Sequence, residues 1–109
     1  MKAPIIISEN GDIYIYASLE KAESDIEPTD VENNIYVIYD SEGLLLFPVV
    51  INDSKYDVVK IYPSNEERPL ELMEILVDFF SEVGHDSVVL KTMSLEDLIS
   101  LGLKNYFKD

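Results

Sequence analysis

Apolar positions in the first half of the chain fall in short, strand-like runs, whereas those after Pro63 recur at helical spacing. Ile5, Ile6 and Ile7 are β-branched and predict a strand over residues 4–8. Asn10-Gly11 follows, two residues that tolerate positive φ, so the chain should turn there into a return strand over 13–16, where Ile and Tyr alternate. Ser18 is placed to cap a short helix over 19–26, ended by Pro28, and residues 29–34 read as loop. A strand over 35–39 and a turn at Ser41-Glu42-Gly43 lead into a nearly continuous apolar strand over 44–51. Pro48 inside that run predicts an edge position or a bulge. Asp53-Ser54 should turn the chain into a further strand over 56–62.

Beyond Pro63 the period changes. Pro69 suits the first turn of a helix reaching Val83, with Gly84 as its cap. Residues 88–90 read as a short strand. Ser94 with Asp97 forms a capping box opening a last helix, and Lys104 and Lys108 lie near its C-terminal end, where positive charge suits the helix dipole. The order β-β-α-β-β-β-α-α predicts an α+β domain. It should hold a mainly antiparallel sheet of about five strands with two or three helices, the larger ones C-terminal and packed on one sheet face. At 109 residues the chain has the size of a single domain.

The helix near Pro69 carries two unusual patterns. With Glu67 included in it, Glu67, Glu71, Glu74, Asp78 and Glu82 share an arc of about 80° at helical spacing. The apolar residues span roughly 220°, well beyond the ~100° of an ordinary surface helix. That arc must be covered from more than one side. The sheet and the last helix, through Leu95, Leu98, Ile99, Leu101 and Leu103, can supply this, and so can a second copy in a homodimer. The acids repeat at i+4 with no basic partner on the stripe, which costs a few tenths of a kcal/mol per pair. Such a stripe is either the solvated face of an acidic protein or an electrostatic docking surface for a cationic partner.

Composition widens the second possibility. There are 8 Lys and Arg against 22 Asp and Glu, a net charge of −14. A chain so charged has no general attraction for nucleic acid or for an anionic membrane surface. Residues 20–32 form a second acidic segment, with Asp25, Glu27, Asp30 and Glu32 after Glu20 and Glu23, against Lys21 alone. Tyr14 and Tyr16 share one strand face, opposite Ile13 and Ile15. Tyr56 and Tyr62 share another with Val58 and Lys60, opposite Val59 and Ile61. Tyrosine offers apolar area and a hydroxyl together, which suits an interface, although strand propensity alone also favours it.

Catalytic chemistry has little to stand on. The chain has no cysteine, hence no thiol nucleophile, disulfide or thiolate site, and a single histidine excludes a multi-histidine zinc site. His85 beside Asp86 lacks any nucleophile signature and reads as a polar loop residue after the helix. Residues 30–34 offer oxygen ligands but lack the calcium-loop pattern, and the four glycines are too scattered to cradle phosphate. No cofactor is expected. A carboxylate-dependent enzyme is the weakest of the functional readings. No apolar run has the length of a signal peptide or a spanning helix, which predicts a cytoplasmic protein.

Three stretches carry a resemblance: Ser18-Leu19-Glu20-Lys21-Ala22-Glu23, Ile26-Glu27-Pro28-Thr29-Asp30-Val31, and Tyr36-Val37-Ile38-Tyr39-Asp40-Ser41-Glu42-Gly43. Over residues 4–45 the chain resembles a group of small acidic bacterial proteins, some regarded as immunity proteins that neutralise a toxin domain by binding it. The resemblance implies no catalytic residues. Glu27, Asp30 and Asp40 match its recurrent pattern, and Asp side chains commonly bond backbone amides in such loops. The expected function is therefore that of an acidic protein-binding module, most concretely an immunity protein against a basic, nuclease-like toxin domain. The expected binding residues are Glu67, Glu71, Glu74, Asp78 and Glu82, or Asp25, Glu27, Asp30 and Glu32, with Tyr56 and Tyr62 as anchors. A non-catalytic structural or regulatory subunit acting as a homo-oligomer is the alternative.

Overall fold

Asn10 and Gly11 both take positive φ, 50° and 94°, and reverse β1 (Ile5–Glu9) into β2 (Asp12–Tyr16) as the Asn-Gly pair requires. A computed structural model describes residues 1–53 and 55–108 of the chain. After the hairpin come α1 (Leu19–Asp25), α2 (Pro28–Glu32), β3 (Tyr36–Tyr39), β4 (Leu44–Asp53) and β5 (Tyr56–Glu67). The chain closes with α3 (Pro69–Glu82), α4 (Ser87–Leu90), α5 (Leu95–Asn105) and β6 (Phe107–Lys108). The sheet order is β5-β4-β3-β1-β2-β6, with every pairing antiparallel except that of β6 on β2. This is the α+β domain expected, with the two larger helices C-terminal.

Local signals set most element ends. The Ser18 hydroxyl accepts the Lys21 N–H at 3.1 Å, and Ser94 and Asp97 close a reciprocal capping box on α5. Gly84, at φ 107°, ends α3. The His85 N–H reaches the Phe80 carbonyl at 2.9 Å and the Gly84 N–H reaches that of Ser81 at 3.2 Å, so both carbonyls near the helix end are satisfied.

Four expectations are corrected. Residues 29–34 are not all loop, because Pro28 opens the short helix α2. Residues 88–90 are helical rather than extended, because the Asp86 side chain accepts the Val88 N–H at 2.9 Å and caps α4. β5 runs through Pro63 to Glu67 instead of stopping at Tyr62. Strand β6 was not anticipated. The Asp53-Ser54 turn involves Ser54, which lies outside the described residues.

Alternation along β4 and β5 explains how they carry two prolines. Pro48 opposes Ile61 and Pro63 opposes Leu46 in an unbroken register that ends with Asp53 opposite Tyr56. The Ile61 N–H points away from β4, since it donates to Glu23 Oε2 at 2.8 Å. Positions 48, 61 and 63 are therefore all non-hydrogen-bonded, and neither proline removes a bond from this ladder. Among the described residues β3 pairs with β4 at Leu45 and Leu46 only, so Pro48 sits where β5 is the one strand beside β4. This is the edge position that Pro48 implied.

Both sheet faces are covered. Ile6, Ile13, Ile15 and Tyr39 pack with Leu72, Leu76 and Phe80 of α3, Leu90 of α4 and Leu98 of α5. Ile5, Ile7, Tyr16, Ile38 and Leu46 pack on the opposite side with Ala22 and Ile26, where the hairpin arm adds Val59 and Ile61. Tyr14 and Tyr16 thus do lie opposite Ile13 and Ile15, but α1 closes that face and Tyr16 is buried. The wide apolar arc of α3 is absorbed by the sheet, α4 and α5, leaving Leu70 and Val83 exposed.

Candidate functional site

Helix α1 packs on the sheet face of Ile5, Ile7 and Ile38 and reaches the outer edge of β5 through Glu23. Glu20 and Glu23 are three residues apart and so share one side of α1, and Glu27 follows at the start of α2. The Glu23 carboxylate clamps α1 to the strand edge by accepting the Ile61 N–H. Below that clamp a groove of about 440 Å³ opens between helix and strand. Glu20, Glu23, Glu27 and Asp57 supply four carboxylates to its walls, against the single ammonium of Lys60. Among the described residues the ion pairs are Lys2–Glu42, Arg68–Glu66 and Arg68–Glu71, so none neutralises the groove.

The outer face of the β4–β5 hairpin adjoins this groove. Phe47 opposes Tyr62, with ring centroids 6.1 Å apart, and Ile51 opposes Val58. Tyr56, at the hairpin tip, is 69% exposed. Tyr56 and Tyr62 are thus brought to one face as expected, roughly 20 Å apart along the strand. Val58 and Lys60 belong both to this face and to the groove lining, so the apolar strip and the acidic groove are contiguous.

The other candidate residues divide. Asp25 accepts the Tyr16 hydroxyl at 2.6 Å, and burial, followed by that carboxylate, pushes the Tyr16 hydroxyl far above its ordinary value. The Tyr36 hydroxyl donates to Asp30 at 3.3 Å and accepts the Glu27 N–H at 3.4 Å. Asp25 and Asp30 therefore serve in part to seat α1 and α2, while Glu32 is exposed at the end of α2. Glu67 is not on the helix. It ends β5, opposite Leu44, and Arg68 occupies the N-cap position of α3. Nor is the stripe without a basic partner. Glu71 accepts from Arg68 Nη1 at 3.1 Å and from the Tyr39 hydroxyl at 2.6 Å. Glu74, Asp78 and Glu82 remain as an exposed acidic face. α3 and α1 cover opposite sides of the sheet, so the two acidic regions do not form one surface.

Glu20, Glu23, Asp57 and Phe47 were not among the expected binding residues. The spacing of Glu20, Glu23 and Glu27 was visible, but the approach of Asp57 and the Phe47–Tyr62 pairing depend on long-range register. His85 is a packing residue, half-buried with Nε2 3.3 Å from the Tyr106 hydroxyl and its ring edge-on to Phe80. Residues 28–32 are helical, and among the described residues no three His, Cys, Asp or Glu side chains gather to hold a metal. No helix among the described residues is long and apolar enough to cross a membrane. Comparison with protein-family models, with curated proteins and with solved structures finds no match.

The Glu71 junction makes a pH prediction. The Tyr39 hydroxyl first, and Arg68 second, hold the Glu71 carboxyl below its usual value of 4.5. A depressed carboxyl adds stability that is present above the usual value and is lost as pH falls through the folded one. Glu71→Gln should cost about 1 kcal/mol at pH 7, a charged hydrogen bond discounted for partial exposure. The difference from wild type should shrink as the pH drops below 4.5. Urea titrations at pH 7 and pH 3.5 check this, and a difference independent of pH would remove the charge from the explanation.

Proposed function

We propose that the protein is an acidic binding module that neutralises a basic toxin domain, in the manner of an immunity protein. The observation that supports this most directly is the contiguity of an uncompensated acidic groove with an exposed aromatic strip. A cationic substrate cleft, such as a nuclease needs to hold a phosphate backbone, is complementary in charge to the groove. Phe47, Tyr56 and Tyr62 supply the rigid apolar anchors that dominate interface energetics, with carboxylates at their rim. The resemblance over residues 4–45 points the same way. The homo-oligomer reading loses the feature that motivated it, because the apolar arc of α3 is covered within the chain.

The test is co-expression with any basic, nuclease-type domain found encoded in the genes adjoining this chain's gene, followed by binding of the purified pair. Growth should be restored. Affinity should be nanomolar, with an association rate that falls steeply between about 50 and 200 mM salt. Absence of both rescue and binding would overturn the reading.

A further inference from the structure

We propose that the outer edge of β5 at residues 57–59 is a strand-addition site for an extended basic segment of the partner. This binding mode rests on the toxin-neutralising reading above. β5 is the last strand on its side of the sheet. In the regular register with β4, positions 57, 59 and 61 all point their backbone N–H and C=O groups away from β4. The Ile61 N–H is already taken by Glu23. Asp57, which is exposed, and Val59, which is 5% exposed, carry the next outward pairs and line the groove. An unpaired row of main-chain donors and acceptors is a template for a further strand.

The surroundings specify which strand. Side chains of an added strand alternate between two faces. On the inner face they would meet Glu20, Glu27 and Asp57, which calls for Arg or Lys. On the outer face they would extend the row of Val58 and Tyr62, which calls for apolar residues. The fitting segment alternates basic and apolar residues. A second copy of this chain is a poor occupant, since it would bring another net charge of −14 to an acidic groove.

The test uses the full chain and a capped hexapeptide alternating Arg and Val, at low ionic strength. Amide hydrogen exchange should slow at least tenfold at Asp57 and Val59. It should stay unchanged at Val58 and Lys60, whose amides already face β4. Methylating the peptide amides on the strand-facing side should weaken binding at least tenfold. The proposal is overturned if the peptide does not saturate below millimolar concentration. It is equally overturned if the methylated peptide binds as well as the parent, which would leave charge attraction alone. The toxin-rescue experiment is scored separately: rescue without edge protection removes this binding mode but not the parent reading, and edge protection without rescue does the reverse.

Discussion

If the proposed partner is a basic toxin domain, reversing three groove carboxylates together, Glu20→Lys, Glu27→Lys and Asp57→Lys, is expected to slow association with it by about 100-fold at low salt. The same number of reversals on α3, Glu74→Lys, Asp78→Lys and Glu82→Lys, should slow it by less than about tenfold. Both triples change the net charge equally, so overall charge cannot account for a difference between them. What separates them is location. The α3 acids are exposed on a convex helix face, on the far side of the sheet from α1 and the groove it forms with β5. The groove acids lie between α1 and β5, where low-dielectric walls concentrate the field. All six side chains are exposed in the folded protein, and none packs in the core or caps a helix with its side chain, so folding should survive both sets. Stopped-flow association at two salt concentrations reads the result. Equal slowing by both triples would assign the effect to total charge and remove the groove from the proposal.

The parts of the fold that were legible are those fixed by signals a few residues long. Asn10-Gly11, Ser18, the Ser94–Asp97 box, Pro69 and Gly84 each act within one turn of chain, and each marks the element end it implied. Pro63 misled for a definable reason. A proline is read as a strand breaker because it lacks an N–H, but at position 63 that N–H would point away from β4. Once β5 runs on to Glu67, the acidic stripe loses its first member, and Arg68 takes the N-cap position in which it pairs with Glu71. The short helices α2 and α4 escaped because four or five residues carry no helical period, only a first-turn proline or one capping carboxylate.

The site was harder to read than the fold. Counting acids found Glu27 but could not tell it from Asp25 and Asp30, which tyrosines engage from the sheet. A groove wall built from α1 and β5 needs to know which strand edge lies beside which helix, and that follows from the sheet order rather than from any local pattern. The alternation of Tyr56, Val58, Lys60 and Tyr62 did transfer, because it needs only that the segment be a strand.

The largest stability effect is expected at Asp40, which is 4% exposed and sits where three parts of the chain meet. Its Oδ1 accepts the Glu42 and Leu44 N–H groups, both at 2.9 Å, and its Oδ2 accepts the Lys2 N–H at 3.1 Å. Its own N–H donates to the Leu44 carbonyl at 2.9 Å. The turn so formed places Gly43 at φ 87°, from which its carbonyl accepts the Arg68 N–H at 2.8 Å, beside the start of α3. Asp40→Ala removes the acceptor for three amides at once. At about 1–3 kcal/mol for each buried unsatisfied group, with water reaching some of them, the loss should be about 3–4 kcal/mol. That is a large share of a stability of about 5–15 kcal/mol, and Tm should fall by roughly 15–20 °C. Asp40→Asn can keep Oδ1 in place for Glu42 and Leu44 but sets an amide donor against the Lys2 N–H, so it should cost about 1–2 kcal/mol. Thermal unfolding of the three proteins should therefore rank wild type above Asn above Ala. Equal losses in the two variants would mean that the paired Oδ1 bonds contribute little. Because Asp40 lies outside the groove lining, the folded fraction of either variant should associate with the proposed basic partner at the wild-type rate. A slowed rate would show that the turn at Gly43 also sets the position of β5, to which it connects through β4.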